Sequence, residues 1–288
     1  MKFDVVIMNP PYQGSNDIKR TGDKYQGSSD ARSNLLWLGF VNKGIELCKD
    51  GGFCAFIHPP KWRKPEDLMW DIITANQVNY LEIHNKKDGK DIFGATTRFD
   101  WYVLQKVSPY KKTIIKDELG NIFEQDLKQL SFIPNYNLLD IIKIMALKGE
   151  PSLDVMHSAA YHQCSKRTRP VIDDKFIHPC IHGIRDNNDV VIWYSNSCKH
   201  GHFGISKVIL NDGENVYPII DMDGKYGMTE HVFAIKVESQ EEAENIKKAI
   251  ESDGFKEIIK ATKWSSYSTD YRMFRYFKKD FWKEFISG

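Results

Sequence analysis

The sequence predicts an α/β protein with an N-terminal part of alternating strands and helices and a C-terminal part rich in strands. The apolar, β-branched run 3–8 predicts a buried strand, and the stretches 34–49 and 53–57 predict a helix and a second strand. From residue 171 onward, short apolar runs separated by turn dipeptides such as Asp212-Gly213 predict successive strands. A length of 288 residues allows two domains.

The run Asn9-Pro10-Pro11-Tyr12 follows the first predicted strand. Two prolines end a strand because proline cannot donate to the ladder. The resulting stiff loop offers two uncharged acceptors, the Asn9 side-chain amide and the Pro10 carbonyl, which can hold the hydrogens of an amine on an aromatic ring. Tyr12 supplies a face on which an extruded base can stack. The alternative is a proline-rich turn in which Tyr12 only packs.

The strand with Asn-Pro-Pro-Tyr resembles the catalytic motif of S-adenosylmethionine-dependent amino-methyltransferases, especially the DNA adenine-N6 methylases of restriction-modification systems. The resemblance implies a partial Rossmann-like methyltransferase domain, the C-terminal half of its sheet, with Asn9, Pro10, Pro11 and Tyr12 as catalytic residues. It also implies S-adenosylmethionine as cofactor, contacted by Asn9, Pro11 and Leu35. Related enzymes that methylate a glutamine amide or a guanine amine in RNA use similar loops.

The elements after the motif agree in order with this family. Gly51-Gly52, the strand 53–57 and His58-Pro59-Pro60 follow the first predicted helix. A helix is predicted over 65–75, a strand over 78–83, a turn over 86–90 and a strand over 96–106. That last strand resembles the family's aromatic strand. Phe99 is the candidate for the second aromatic wall beside the base, Trp101 is the runner-up, and core packing is the alternative for either ring.

The family's cofactor half, a strand that ends in a glycine-rich turn and leads into a helix, is not found before residue 3 or elsewhere in the sequence. Three explanations remain open. The chain is one subunit of a split methylase whose partner carries that half, or a truncated or mis-started form of a longer protein, or a decayed paralogue. A half sheet exposes a strand edge and apolar faces, which require a partner.

Basic residues mark candidate contacts with double-stranded DNA. Lys19 and Arg20 lie in a polar stretch after the motif, which is either a lid or a loop with no role. The cluster 166–170 either contacts phosphates or is a solvated loop. The tail 254–288 carries eight basic and four acidic residues among many aromatics, which suits either nucleic acid or a core. The DNA-binding candidates are Lys19, Arg20, Lys166, Arg167, Arg169, Lys263, Arg272 and Arg275.

The C-terminal part loosely resembles the target-recognition domain of restriction-modification methylases. The resemblance rests on Phe203-Gly204-x-x-Lys207-Val208, Tyr217-Pro218 and Asp221-x-Asp223-Gly224-x-x-Gly227-x-Thr229. It implies three regions: a catalytic half over 1–107, a connector over 108–170, and a β-rich recognition domain over 171–288.

Composition excludes several classes of function. The net charge is only +1, so DNA binding requires that basic residues be segregated on one face. No stretch is long enough for a membrane span and no signal peptide opens the chain, and five cysteines without a CxxC pair indicate a reducing cytoplasm. The pattern His178-x-Cys180-x-His182 with Cys198-x-His200-x-His202 matches no common zinc module, so no metal site is predicted.

The leading hypothesis is a site-specific DNA adenine-N6 methyltransferase that transfers a methyl group from S-adenosylmethionine to a flipped adenine, either alone or as one subunit of a split enzyme. The rival from another class is an inactive DNA-binding or interaction protein derived from a methylase. A methyltransferase acting on RNA or protein amines is a further alternative.

Overall fold

The structure, a computed structural model, describes residues 1–12, 36–147, 149–161, 166–186, 189–264 and 268–286. It divides into two compact units, residues 1–136 and residues 137–288. Each unit combines strands with helices, which confirms the mixed α/β class.

The first unit is built on a six-stranded sheet in the order β1-β2-β4-β3-β5-β6. β1 lies at one end of the sheet and pairs in parallel with β2, while β4 pairs antiparallel with both β2 and β3. The sheet is completed by β5, which runs parallel to β3, and by the antiparallel β6. The strands are β1 (Phe3–Met8), β2 (Cys48–His58), β3 (Gln77–His84), β4 (Phe99–Gln105), β5 (Thr113–Lys116) and β6 (Ile122–Gln125).

Three helices connect these strands: α1 (Leu36–Leu47), α2 (Leu68–Thr74) and α3 (Lys86–Phe93). α1 buries Trp37, Val41 and Ile45. It ends earlier than the predicted 34–49 because Cys48 already pairs with Phe3 of β1.

The prediction of a turn over 86–90 is wrong, because these residues form the first part of α3. The Asn85 side chain accepts the backbone N–H groups of Lys87 and Asp88, and the Asp88 carboxylate accepts the N–H of Asn85, which makes a capping box. Position 89, inside the helix, requires glycine because a Cβ there would collide with the Thr97 carbonyl oxygen. Gly89 therefore marks the point where this helix packs closely against the backbone that follows it.

The second unit contains two four-stranded sheets, in the orders β13-β9-β10-β8 and β12-β11-β14-β7. The succession of strands predicted from residue 171 onward is present, from β9 to β14. The strands are β7 (Val155–His157), β8 (Thr168–Arg169), β9 (His178–Ile184), β10 (Val190–Ser195), β11 (Lys207–Asn211), β12 (Pro218–Asp221), β13 (Gly227–Met228) and β14 (Val232–Lys236). The helices are α4 (Leu138–Ile144), α5 (Gln240–Glu251), α6 (Asp253–Ala261) and α7 (Lys283–Ile286).

The aromatic residues of the tail belong to the core of the second unit. Phe255, Phe274, Phe277 and Phe281 are fully buried, and the Phe255 ring lies 5.4 Å from the Phe281 ring between centroids. Of the two readings of the tail left open by the sequence, core packing is confirmed for these rings. Burying rings of this size stabilises a unit by several kcal/mol each.

A buried ion pair fixes part of the recognition-like series. Lys207 Nζ lies 2.9 Å from Asp221 Oδ2, and both side chains are almost completely buried. Asp221 also accepts the backbone N–H groups of Lys225 and Tyr226, so its charge is satisfied from three sides. These residues therefore hold the turn after β12, and their role in target recognition stays a prediction.

The boundary between the units falls inside the predicted connector. Residues 108–136 contribute β5 and β6 to the first sheet, and residues 137–170 belong to the second unit. The functional boundaries at 107 and 170 stay predictions. In the part of the chain that the structure describes, no helix is long and apolar enough to cross a membrane.

Candidate functional site

The loop after β1 forms one wall of an open cleft. Asn9 and Pro11 are exposed, Pro10 is buried and Tyr12 is half-buried. The cleft has a volume of about 490 Å³. Its described lining consists of Asn9, Pro10, Pro11, Tyr12, Phe93, Ala95 and Thr97. The structure thus brings the four motif residues together with a second segment, the end of α3 and the loop that follows it.

Phe93 is the second aromatic residue of the cleft. It is the last residue of α3, which ends at Gly94 in a left-handed conformation with φ of 70°. Its side chain is 37% exposed, so part of the ring remains accessible in the cleft. The sequence prediction missed Phe93 because residues 86–90 were read as a turn. The spacing of Asn85 and Asp88, a capping pair, is the signal that locates the helix.

Phe99, the predicted second wall, is 2% exposed and is not among the described residues that line the cleft. Its ring stacks on His84 with centroids 4.4 Å apart and lies nearly perpendicular to the Phe93 ring, with centroids 4.9 Å apart. Phe99 therefore supports Phe93 from the interior. Trp101, the runner-up, packs against Tyr80 with centroids 5.0 Å apart.

The Tyr12 hydroxyl is buried and has no hydrogen-bond partner among the described residues. Burial, together with the nearby Asp100 carboxylate, raises the pKa of Tyr12 to about 12. Tyr12 therefore stays neutral across the physiological range. A neutral ring beside the motif suits stacking, whereas a phenolate would add charge next to an incoming ring.

His58 at the end of β2 is a buried, neutral histidine. Burial lowers its pKa to about 4. Nδ1 lies 2.9 Å from the Pro59 carbonyl oxygen, which can only accept, so this nitrogen carries the hydrogen. Nε2 then accepts a hydrogen bond from the Tyr102 hydroxyl at 2.8 Å, and the ring stacks on Trp37 at 4.3 Å. These contacts attach β2 to α1 and β4.

A buried ion pair joins the Pro-Pro-Lys-Trp-Arg turn to β4. Arg63 Nε lies 2.7 Å from Asp100 Oδ2, with both side chains fully buried, and Trp62 Nε1 donates to the same oxygen at 2.8 Å. Arg63 also donates to Asp100 Oδ1, to the carbonyl oxygens of Ile133 and Pro134 and to the Asn135 side chain. All five guanidinium hydrogens thus have acceptors in reach, which is the condition for burying such a charge.

The predicted cofactor contacts are only partly described. Asn9 and Pro11 line the cleft, while Leu35 lies outside the described residues. No acidic side chain and no glycine turn between a strand and a helix is found among the described residues that line the cleft. These residues alone therefore do not make a site that fits S-adenosylmethionine.

The predicted DNA contacts fall into three groups. Lys19 and Arg20 lie outside the described residues. The cluster of Lys166, Arg167 and Arg169 is exposed.

The third group, the cations of the tail, makes contacts inside the second unit. Lys263 Nζ donates to the Gly213 carbonyl at 2.8 Å, and burial lowers its pKa to about 8. Arg272 pairs with Asp270 through two hydrogen bonds, and the Arg275 guanidinium lies 5.4 Å from the centre of the Tyr271 ring. Their contact with DNA stays a prediction.

The histidines and cysteines considered for a metal pack in other ways. His182 stacks on Trp193 with centroids 4.0 Å apart, and Cys180 is buried. Among the residues that the structure describes, no group of three His, Cys, Asp or Glu side chains is placed to hold a metal ion.

Three kinds of similarity to known proteins cover parts of the chain. Residues 1–93 match the model of the Eco57I restriction-modification methylase family. An uncharacterized adenine-specific methylase of Mycoplasma pneumoniae is 35% identical over 101 residues, which is 35% of this chain and 19% of the relative. The chain thus spans about a fifth of that relative's length.

Two solved structures are loosely similar. The type IIL restriction-modification enzyme MmeI, solved with DNA, is 11% identical with a TM-score of 0.44 over 86% of this chain and 42% of its own. The type IIG restriction endonuclease BpuSI is 10% identical with a TM-score of 0.34 over 99% of this chain and 49% of its own. These TM-scores are too low to add to the family match. The match over residues 1–93 agrees with the resemblance to restriction-modification methylases that Asn9–Tyr12 predicted.

Proposed function

We propose that the chain carries the target-base side of a site-specific DNA adenine-N6 methyltransferase of a restriction-modification system. One observation carries the proposal: the Asn9–Tyr12 loop leaves a parallel strand and faces a cleft that also presents the Phe93 ring. Adenine as the target is supported by the similarity to the Mycoplasma protein, which is described as an adenine-specific methylase.

The cleft suits an aromatic amine. The Asn9 amide oxygen and the Pro10 carbonyl oxygen are uncharged acceptors on adjacent residues, and they would hold the two hydrogens of the amino group. That geometry turns the nitrogen lone pair out of conjugation with the ring and toward the donor. Neither group takes a full negative charge, so no carboxylate is required beside the amine.

Tyr12 and Phe93 would hold the ring of a flipped adenine. Both line the cleft, and stacking on an aromatic side chain contributes roughly 1–3 kcal/mol per base. Phe99, the candidate from the sequence, would act through Phe93, whose ring edge it contacts. This arrangement assigns base contact to the partly exposed ring and support to the buried one.

The methyl donor would be S-adenosylmethionine, the cofactor of the family. We propose that its binding half comes from additional polypeptide that pairs with the outer edge of β1. β1 and β2 pair in parallel, and parallel strands are normally covered on both faces. Yet Phe3, Val5 and Ile7, which alternate along β1, are 44%, 56% and 77% exposed. A second subunit or further sequence of the same protein would pair with the outer edge of β1 and cover these side chains.

The alternative is an inactive DNA-binding or interaction protein derived from a methylase. It is favoured by the cleft lining, in which no acidic residue or glycine-rich turn is found among the described residues. A methyltransferase that acts on RNA or protein amines shares the same loop chemistry and differs only in substrate.

The test measures transfer of a radiolabelled methyl group from S-adenosylmethionine to adenine in duplex DNA. The chain is assayed alone and co-expressed with the polypeptide encoded directly upstream. Asn9→Ala is expected to lower the transfer rate about 100-fold or more, as for loss of an oriented polar group at a reacting centre. Asn42→Ala on the exposed side of α1 is the matched control and leaves the rate unchanged.

Three outcomes contradict the proposal in different ways. Transfer that survives Asn9→Ala rejects the role of the motif. Absence of transfer in every combination, with DNA binding retained, supports the inactive alternative. Transfer to RNA or protein but not to duplex DNA rejects adenine in DNA as the substrate.

The proposed contact between the Phe93 ring and the base can be tested directly. With active enzyme, Phe93→Ala is expected to lower kcat/KM by roughly 5- to 150-fold, the loss of one stacking contact. Phe93→Trp, which keeps an aromatic face, should restore most of the rate. Phe40→Ala, on an equally exposed phenylalanine of α1, is the control. An unchanged rate for Phe93→Ala would remove this ring from the site.

A further inference from the structure

Two segments of the second unit contain no acidic residue. Residues 155–172 and 190–211 include no aspartate or glutamate, although the chain as a whole carries 39 acidic residues in 288. By contrast, the segment 238–257 carries seven acidic residues and three lysines. The near-neutral net charge of the protein thus conceals a strong segregation of charge within one unit.

The fold joins the two acid-free segments into one surface. Arg169 and Thr168 of β8 pair with Tyr194 and Ser195 of β10. Beyond the strands, the backbone N–H of Asn196 donates to the Arg167 carbonyl and its side chain donates to the Lys166 carbonyl, both at 3.1 Å. The exposed residues of this surface, called the basic face below, are Lys166, Arg167, Arg169, Lys199 and His200.

The loop that carries Lys199 and His200 is held in place by Tyr161. The buried Tyr161 hydroxyl lies 3.2 Å from the Ser197 carbonyl and 3.0 Å from the His200 carbonyl. Gly201 adopts φ of 83°, and a Cβ at this position would lie 2.7 Å from the Tyr161 ring. The loop therefore presents its cations from a fixed backbone, which reduces the entropy lost on binding.

The cations of the basic face differ in whether a neighbouring residue already binds them. Neither Lys166 nor Lys199 forms an ion pair with a described residue. Arg169 pairs with Asp173 at 3.1 Å and stacks on Phe176, yet its side chain stays 53% exposed. Arg167 donates to the Ala160 carbonyl at 3.1 Å. Within the described residues, the two lysines have no ionic partner that competes with an external anion, while the arginines are positioned by neighbours.

We propose that the basic face binds the phosphate backbone of double-stranded DNA, with Lys166 and Lys199 as the principal phosphate contacts. The inference rests on the proposed DNA substrate and adds the surface that holds it. The basic face carries four exposed lysines and arginines, and Asp173 pairs with one of them, Arg169. Such an excess of cations suits a line of phosphates, and phosphate contacts position a protein on DNA independently of sequence.

The first test measures affinity of the full chain for a fluorescein-labelled duplex of mixed sequence, by anisotropy over a range of salt concentrations. The variant Lys166→Glu with Lys199→Glu is compared with Lys236→Glu with Lys248→Glu, an equal change of charge at two exposed lysines outside the basic face. The basic-face variant is expected to bind about 100-fold more weakly, with a salt slope reduced by about two. The control variant should stay within about threefold of the wild type, the size of a long-range charge effect.

Each outcome separates this inference from the proposed enzyme. Equal loss in both double variants, or no loss in the basic-face variant, rejects the face while DNA binding stands. Loss confined to the basic-face variant supports the face even if no methyl transfer is ever found. A wild-type chain that binds no duplex, or that prefers single-stranded RNA, overturns the inference together with the DNA substrate.

Cys198 offers an independent readout because it is exposed beside Lys199, whereas Cys48, Cys54 and Cys180 are buried. Duplex DNA is expected to slow alkylation of Cys198 by N-ethylmaleimide severalfold, measured on the isolated peptide by mass spectrometry. Protection should disappear in the Lys166→Glu, Lys199→Glu variant. Alkylation that DNA does not slow would place the duplex elsewhere.

Discussion

Apolar strands of similar composition are buried in the second unit and exposed in the first. In the second unit, all five residues of β11 and the first four of β14 are buried. In the first unit, the equally apolar β1 leaves Phe3, Val5 and Ile7 exposed at the end of its sheet. Both strands are rich in β-branched residues, so the difference does not lie in strand propensity.

Among the described residues, the second unit thus covers its central strands, whereas the first unit leaves the side chains of β1 exposed. β11 is covered because β12 and β14 flank it and the other sheet and α5 pack nearby within the same unit. β1 has a neighbour only on the β2 side among the described strands. A parallel strand with one open edge and a bare apolar face is the feature expected where more polypeptide adds to a sheet.

The largest expected effect tests whether the interior of the first unit is well formed despite its open end. Asp100→Ala leaves the buried Arg63 guanidinium without its carboxylate, and removing one partner of a buried pair costs about 3–5 kcal/mol. Urea unfolding followed by circular dichroism measures the loss.

Asp50→Ala is the control for that measurement, because the Asp50 side chain is 87% exposed in its pair with Lys106 and the expected change is below about 1 kcal/mol. A loss for Asp100→Ala as small as the control's would mean that the Arg63 site is open to water.

The comparison between β11 and β1 can be made with one chemical change. Ile209→Ala in β11 removes a fully buried side chain and should lower the free energy of unfolding by roughly 2–5 kcal/mol. Ile7→Ala in β1 removes a side chain that is 77% exposed and should change it by less than about 0.5 kcal/mol. Equal losses in the urea midpoints of the two variants would mean that β1 is already covered in the isolated chain.

The third prediction concerns pH. The pKa of His58 falls from 6.5 to about 4 because of burial, so the unfolded chain binds a proton at this residue before the folded chain does. The stability it contributes is complete above pH 6.5 and is lost as pH falls toward 4, on the order of 3 kcal/mol.

Urea unfolding between these pH values should show a shallower dependence for His58→Gln than for the wild type. His157 and His182, whose pKa values are also lowered by burial, contribute a background slope that both proteins share. Parallel curves for the two proteins would show that His58 is protonated in the fold.

The smallest effect on the chain alone is expected at the β1 edge. Val5→Lys places a charge on an exposed position and should leave the free energy of unfolding within about 0.5 kcal/mol of wild type. The same variant should abolish co-purification with the polypeptide encoded directly upstream, if that polypeptide carries the cofactor half. Unimpaired co-purification would show that β1 is not the docking edge.

Much of the first unit could be predicted locally. The strand at 3–8, the loop Asn9–Tyr12, the helix before Gly51 and the strand at 53–57 follow from apolar periodicity and from prolines and glycines that end elements. The prediction of a turn at 86–90 is wrong because three lysines, one aspartate and a glycine are also typical of a loop. The capping contacts of Asn85 and the close approach at Gly89 favour a helix instead.

The sequence by itself indicated the resemblance to methylases, the position of the Asn9–Tyr12 loop and the succession of strands along the chain, because these depend on neighbouring residues. Only the tertiary structure decided that Phe93 faces the cleft while Phe99 supports it, and that the tail aromatics form a core. It also placed the segments that carry Lys166 and Lys199 beside each other, and among the described residues it left Phe3, Val5 and Ile7 of β1 exposed. The physical reason is that exposure depends on what packs against a side chain from distant parts of the chain, and local pattern carries no record of those neighbours.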